Sequence, residues 1–244
     1  VADRATDGQD RTMPVPTADG AERAAEYAAT RARIRTLLQD VTDAEADAIV
    51  PACPDWSVRN LVAHLAGVCR DLVEKNHPTG DVQAWVDRQV AERATRSVVS
   101  LLDEFDEFGP GFEELIVKRP DARGGLLYDI VAHEHDAASA LGRRAERDTE
   151  GVRLSIDIMA ALIDGDLARA GLPAVRLSDG RNTWEVGTGE PGFSVSAPDT
   201  FELMRFLGSR RSLAQMRTFA IDGDLDRFLP GLAHLPLPEH DLIE

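Results

Sequence analysis

Three residue positions in this sequence have the chemistry and spacing to hold a metal ion. His64 lies in Val62-Ala63-His64-Leu65, and Asp129 and His133 lie in Asp129-Ile130-Val131-Ala132-His133-Glu134-His135-Asp136. An α-helix turns every 3.6 residues, so Asp129 and His133 project from the same side, one turn apart. Two ligands on one helix and a third, His64, on a facing helix would close three sides of a coordination sphere. The fourth position would stay open, which is how catalytic zinc sites are built. The bland reading starts from the same residues. An inward histidine is often a hydrogen-bonded core residue, and an Asp one turn before a His is often a stabilising pair. Spacing alone leaves both readings open.

The elements that must position these residues are helical. Residues 21–39 carry apolar positions at Ala24, Tyr27, Ala28, Ile34, Leu37 and Leu38. After the break Pro51-Ala52-Cys53-Pro54, Ser57 is a good N-cap for a second helix, with Trp56 before it as a hydrophobic staple. That helix has the stripe Val58, Leu61, Leu65, Val68 and Leu72, and His64 sits on the edge of this face. A third helix is expected over 82–107, a break at Gly109-Pro110-Gly111, and a short amphipathic piece over 112–117. The fourth helix, 126–141, has the stripe Leu126, Ile130, Ala137 and Leu141, with His133 in line and Asp129 and Asp136 flanking it. His135 shares its face with Tyr128 and points elsewhere. Short connections between four such helices predict an antiparallel bundle.

The pattern changes after Arg143. One more helix is expected over 155–170, then strands over 174–178, 183–186 and 193–196 joined as hairpins. A helix from Thr200 to about Leu207 and a last strand over 216–221 complete the chain. The sequence thus predicts an α+β protein: a disordered leader over 1–18, a helical bundle over 19–150 and a small α+β domain over 151–244.

Other chemistries find little support. Cys53 precedes a proline and Cys69 lies on an inward helix face, so neither reads as a nucleophile. No Gly-x-Ser-x-Gly elbow, P-loop or Gly-x-Gly-x-x-Gly word is present. The net charge of −16 argues against sequence-independent binding to nucleic acid or to an anionic membrane. No stretch approaches the ~20 apolar residues of a membrane helix. Two cysteines in 244 residues and the lack of a secretory signal lead us to expect a cytoplasmic protein. The pair Arg210-Arg211, with Arg217 nearby, reads either as a solvated helix end or as a carboxylate clamp, for which arginine's planar fork is suited.

The words around these residues resemble a known family. The run Cys53-Pro54-Asp55-Trp56-Ser57-Val58-Arg59-Asn60-Leu61-Val62-Ala63-His64-Leu65 resembles the second-helix signature of the mycothiol-dependent maleylpyruvate isomerases, a branch of the DinB-like bundles. Tyr128-Asp129-Ile130-Val131-Ala132-His133-Glu134-His135-Asp136 resembles the fourth-helix signature, and the stretch from Phe201 to Gln215 the family's second domain. The likeness spans roughly residues 20–232. It implies a DinB-like fold and a divalent metal, zinc in the isomerase, on His64, Asp129 and His133. At the Asp129 position the isomerase has Glu. Asp is one methylene shorter, so either the helices sit closer or a water completes the link. Asp136 matches an orienting group behind the ligand histidine, and Arg210 an arginine that serves substrate binding.

The activity implied is thiol activation, with mycothiol as cosubstrate. A Lewis-acidic metal lowers a thiol's pKa, and the thiolate attacks a small electrophilic substrate. The expected partners are therefore a small-molecule thiol and an electrophile, in a transferase or isomerase. A metal-dependent hydrolase and a metal-free binding protein that kept the bundle are the alternatives.

Overall fold

The computed structural model describes residues 12–13, 19–120, 125–233 and 235–244. Four long helices make the N-terminal bundle: α1 (Gly20–Leu38), α3 (Val58–Val73), α5 (Val98–Lys118) and α6 (Gly125–Ala140). The one-turn helix α2 (Asp43–Ala46) is closed by a capping box between Thr42 and Glu45, and α4 (Val82–Arg93) packs beside α3. A short hairpin, β2 (Ile49–Val50) and β3 (Cys53–Ser57), leads into α3. Ser57 caps α3 as expected, accepting a hydrogen bond from the Asn60 amide at 3.3 Å. The core is built from Tyr27, Ile34, Leu61, Leu65, Phe105, Phe112 and Ile130, all buried. Tyr27 meets Phe105 and Phe112 edge-on, with centroids 6.4 and 5.0 Å apart.

The third helix differs from expectation. Residues 82–107 are not one helix: α4 ends at Arg93, and Ser97 caps α5 anew. Nor does Gly109-Pro110-Gly111 break the chain, because α5 runs through it to Lys118. Proline in a helix interior costs about 3 kcal/mol. Two features oppose that cost. The buried series Leu101, Phe105, Phe112 and Ile116 stays on one face across the proline. Arg31 of α1 also spans it, binding Asp106 on one side and Glu113 on the other. Gly109 permits this crossing, since a Cβ there would run into the Arg31 guanidinium.

Beyond the bundle, α7 (Glu150–Ala170) packs on α6 and α1 with one side. Its other side covers a sheet of β4 (Val175–Ser178), β5 (Thr183–Val186), β6 (Phe193–Ser196) and β7 (Ala220–Asp222). Strands β4 and β5 form the expected hairpin, with Leu177 opposite Trp184. The expected second hairpin is absent: β6 returns parallel to β4, and β7 then pairs antiparallel with β6. Residue 216 is not in the last strand. It ends the one-turn helix α9 (Leu213–Met216), which Ser212 and Gln215 close as a capping box. Helices α8 (Thr200–Leu207) and α10 (Leu225–Leu232) complete the domain. Of the expected leader, Thr12–Met13 forms β1, parallel to β5; the rest lies outside the described residues. Among the described residues no helix is long and apolar enough to cross a membrane. The architecture is α+β, as the sequence predicts.

Candidate metal centre

Helices α3 and α6 bring the three candidate ligands together near the hairpin. His64 is on the inner face of α3, while Asp129 and His133 share a face of α6. Their ligand atoms lie within 4.8 Å of one another. His64 Nε2 is 3.3 Å from Asp129 Oδ2, and His133 Nε2 is 3.4 Å from Asp129 Oδ1. Two ligands of one tetrahedral zinc, each about 2.0–2.1 Å from the ion, stand roughly 3.3–3.4 Å apart. The shorter Asp129 therefore reaches His64 directly, because the two helices sit close enough. Both histidine side chains are nearly covered (8% and 6% exposed), whereas Asp129 keeps 28% of its surface.

The chemistry of this donor set fits a divalent cation. His133 Nδ1 bonds Asp136 Oδ2 at 3.1 Å, which fixes the ring and turns Nε2 to the cluster. Ligand histidines are commonly oriented this way. His64 Nδ1 is buried without a hydrogen-bond partner.

Charge at the cluster is uneven. Burial alone would raise the Asp129 pKa, but His133 and His64 hold it well below the usual carboxylate range. Burial works against a charged His133 as well, yet Asp129 and then Asp136 raise its pKa to about 9.

Asp136 is wholly buried and belongs to a second layer of charge. Its Oδ1 accepts from Arg205 Nη2 at 2.7 Å and its Oδ2 from Arg210 Nε at 3.2 Å. Burial opposes its ionisation, but the two guanidiniums keep its pKa well below the usual range. Arg210 reaches this place because the chain turns sharply after α8. Gly208 lies against the Tyr128 hydroxyl, which donates to its carbonyl at 3.1 Å, and Ser209 adopts a left-handed φ of 57°. Arg210 Nη1 donates to the same carbonyl, and its Nη2 approaches Cys53 Sγ at 3.6 Å. Cys53, His133 and Asp136 also form a cluster of ligand-type atoms. A cation there would share Asp136 with two guanidiniums, so the His64–Asp129–His133 set is the better site. Burial, helped by Asp136, pushes the Cys53 thiol up to about 11.

The other flagged residues lie away from the ligand atoms. His135 packs on Phe201 with centroids 4.7 Å apart, and burial lowers its pKa to about 3. Arg211 pairs with Glu202 and Glu244, each at 2.8 Å, and Arg217 with Asp226 on the surface. Sequence reasoning missed two residues here. Arg205 carried a signal, as a charge inside the apolar run Phe201, Leu203, Met204, Phe206 and Leu207. Trp56 was expected to staple the start of α3. It stands over the site instead, with centroids 5.1 Å from His64 and 5.9 Å from His133.

Comparisons with known proteins bear on the family and the fold. Residues 27–149 match the family model of the mycothiol maleylpyruvate isomerase N-terminal domain. The fold is similar to the crystal structure of the mycothiol-dependent maleylpyruvate isomerase, with a TM-score of 0.52 at 14% identity. A His-to-Ala mutant of that enzyme gives 0.51 at 13%. Each comparison covers 81% of this chain and 90% of the other. At such identity the likeness is one of fold. No curated protein matches the chain. With half of its length matched by the family model, the chain belongs to the mycothiol maleylpyruvate isomerase family.

Proposed function

We propose that this protein is a metal- and thiol-dependent transferase or isomerase, with mycothiol as cosubstrate and a small electrophile as substrate. The observation that carries the proposal is the convergence of His64, Asp129 and His133, with His133 held from behind by Asp136. Membership of a mycothiol-dependent family supports the choice of thiol. His64, Asp129 and His133 would hold the metal, zinc being the ion their nitrogen and oxygen donors suit. The metal would supply the Lewis acidity that keeps a thiol ionised at neutral pH. Asp136 keeps His133 in the tautomer that presents Nε2 to the ion. Arg210 would orient an anionic substrate through its remaining N–H groups. No side chain needs to act as the nucleophile, consistent with a Cys53 thiol whose pKa is near 11.

One observation favours the metal-free alternative: Asp129 already bonds both imidazoles, so the cluster is largely satisfied without an ion. Elemental analysis of protein purified without chelators separates the two readings. About one zinc per chain, lost in His64→Ala and His133→Ala, is the expected result. Isomerisation of maleylpyruvate is then assayed with and without mycothiol. Failure to take up zinc would overturn the metal reading, and cleavage of the substrate by water without thiol, rather than its isomerisation, would point to a hydrolase.

A further inference from the structure

Glu244 takes no part in the proposed chemistry, yet it sits among three arginines. Arg147 comes from the connection between α6 and α7, Arg205 from α8, and Arg211 from the turn that follows α8. Their guanidinium carbons surround the Phe201 ring, 4.4, 5.9 and 5.8 Å from its centroid. The Glu244 side-chain carboxylate accepts from Arg205 Nε at 3.0 Å and from Arg211 Nη1 at 2.8 Å. Arg205 Nη2 bonds it as well, and the Glu244 carbonyl oxygen accepts from Arg147 Nη2 at 2.6 Å. Without Glu244 the cluster is short of negative charge. Among the described residues Arg147 pairs with no carboxylate, Arg211 keeps Glu202, and Arg205 keeps Asp136, which Arg210 also binds. The Arg205 and Arg211 side chains are buried, and a buried guanidinium needs an anion close by.

Beyond these arginines, little fixes Glu244. Residues 235–244 form neither helix nor strand. Leu242 is seated: it is buried, and Gln215 bonds its backbone at 2.8 and 3.1 Å. Ile243, by contrast, is 89% exposed and is held through its carbonyl, by the Ser139 hydroxyl at 3.3 Å. Glu244 can therefore swing out with Leu242 in place. A cleft of about 320 Å3 between Arg211, Phe219 and Ile243 leads to its carboxylate, and another of about 370 Å3 borders Arg147 and Phe201.

We propose that Arg147, Arg205 and Arg211 form a separate ligand site, for a five-carbon dicarboxylate, which Glu244 fills until such an anion displaces it. The carbonyl and side-chain carboxylate of a glutamyl residue are the two ends of a five-carbon chain. Glutarate presents the same two ends, one for Arg205 and Arg211 together and one for Arg147, with a full charge on each. A monocarboxylate of equal length would forgo the charged partner of Arg147, a loss of about tenfold in affinity. The inference does not depend on the metal reading.

The test titrates the full chain with glutarate by calorimetry, as the wild type and as Glu244→Ala, with pentanoate and the uncharged glutaramide as controls. Glu244→Ala should bind glutarate, about tenfold more tightly than pentanoate, and should not bind glutaramide. The wild type should bind glutarate measurably but about tenfold more weakly, as expected for a residue that is out of its place about a tenth of the time. Adding Arg147→Gln to Glu244→Ala should remove the preference for glutarate over pentanoate. Equal affinity in wild type and Glu244→Ala would show that the anion does not take the place of Glu244. No binding to the wild type would make Glu244 a permanent counterion. Either result would overturn the proposal, as would a Glu244→Ala variant that ignores glutarate or a preference that survives Arg147→Gln. Should Glu244→Ala not fold, Glu244→Gln, which removes the charge and keeps the size, replaces it under the same outcomes.

Discussion

The two aspartates of α6 should respond to the same substitution in opposite ways. Asp136 is wholly buried and anionic, and bonds Arg205, Arg210 and His133. Arginine cannot deprotonate in a protein, so Asp136→Asn leaves two buried guanidiniums facing a neutral amide. Arg205 keeps Glu244 as a counterion, but Asp136 is the carboxylate that Arg210 binds. Removing one partner of a buried ion pair costs about 3–5 kcal/mol. With a urea slope of about 2–3 kcal/mol per M, the unfolding midpoint should fall by roughly 1–2 M. Asp129 bonds only histidines, and these can shed their protons. Asp129→Asn should therefore cost about 1 kcal/mol, the worth of an ordinary hydrogen bond. Metal binding should be affected in the reverse order. Asp129→Asn would remove a proposed ligand, whereas Asp136→Asn would loosen one and weaken zinc by about 10–100-fold. Urea unfolding followed by tryptophan fluorescence, beside zinc titration of the folded variants, reads both effects. If Asp129→Asn proves as destabilising as Asp136→Asn, or if Asp136→Asn barely moves the midpoint, the assignment of structural charge to one and ligand charge to the other is wrong.

Three further outcomes are expected. Glu104 is buried between Arg93 and Arg96; burial opposes its charge, but the guanidiniums hold its pKa below the ordinary value. Because the folded-state pKa is depressed, its contribution is full above about pH 4.5 and is lost as pH falls through the folded value. The stability gap between wild type and Glu104→Gln should accordingly be constant from pH 8 to 5 and narrow below about pH 4; a gap that widened on acidification would refute the pairing. Gly208→Ala would drive a methyl into the Tyr128 hydroxyl, costing about 1–3 kcal/mol by overpacking. In a Tyr128→Phe background only part of that loss should be recovered, because the ring carbon Cζ would still lie 2.7 Å from the new methyl; thermal melts of the double variant would check this. With its pKa near 11, Cys53 should react with iodoacetamide at pH 7.5 roughly two orders of magnitude more slowly than an ordinary thiol. Alkylation at the free-cysteine rate, measured by mass spectrometry, would show that the thiol is ionised after all.

The candidate ligand pair Asp129 and His133 was legible in the sequence because both lie on one helix, where a spacing of four fixes a common side. The start of α3 was legible for the same local reason, since Ser57 offers its hydroxyl to an amide three residues on. The α+β architecture followed from the change of period after Arg143. Local pattern failed where a distant contact outweighed it. Gly109-Pro110-Gly111 reads as a break, but Arg31 arrives from α1 to bridge Asp106 and Glu113 across it. The parallel return of β6 onto β4 likewise depends on long-range pairing that no turn residue announces.

Around the site the division is the same. Helical periodicity could place His64 on an inner face, but only the packing of α3 on α6 set its Nε2 3.3 Å from Asp129. Trp56 and Arg210 come from a strand and a loop, whose side-chain directions have no helical period to betray them. Arg205 interrupts an apolar run, yet that it would bind Asp136 was fixed only when α8 docked on α6. The sequence alone determined which residues could carry the chemistry and how each helix presents them. The tertiary structure decided which charges face one another, because that depends on contacts between elements far apart in the chain.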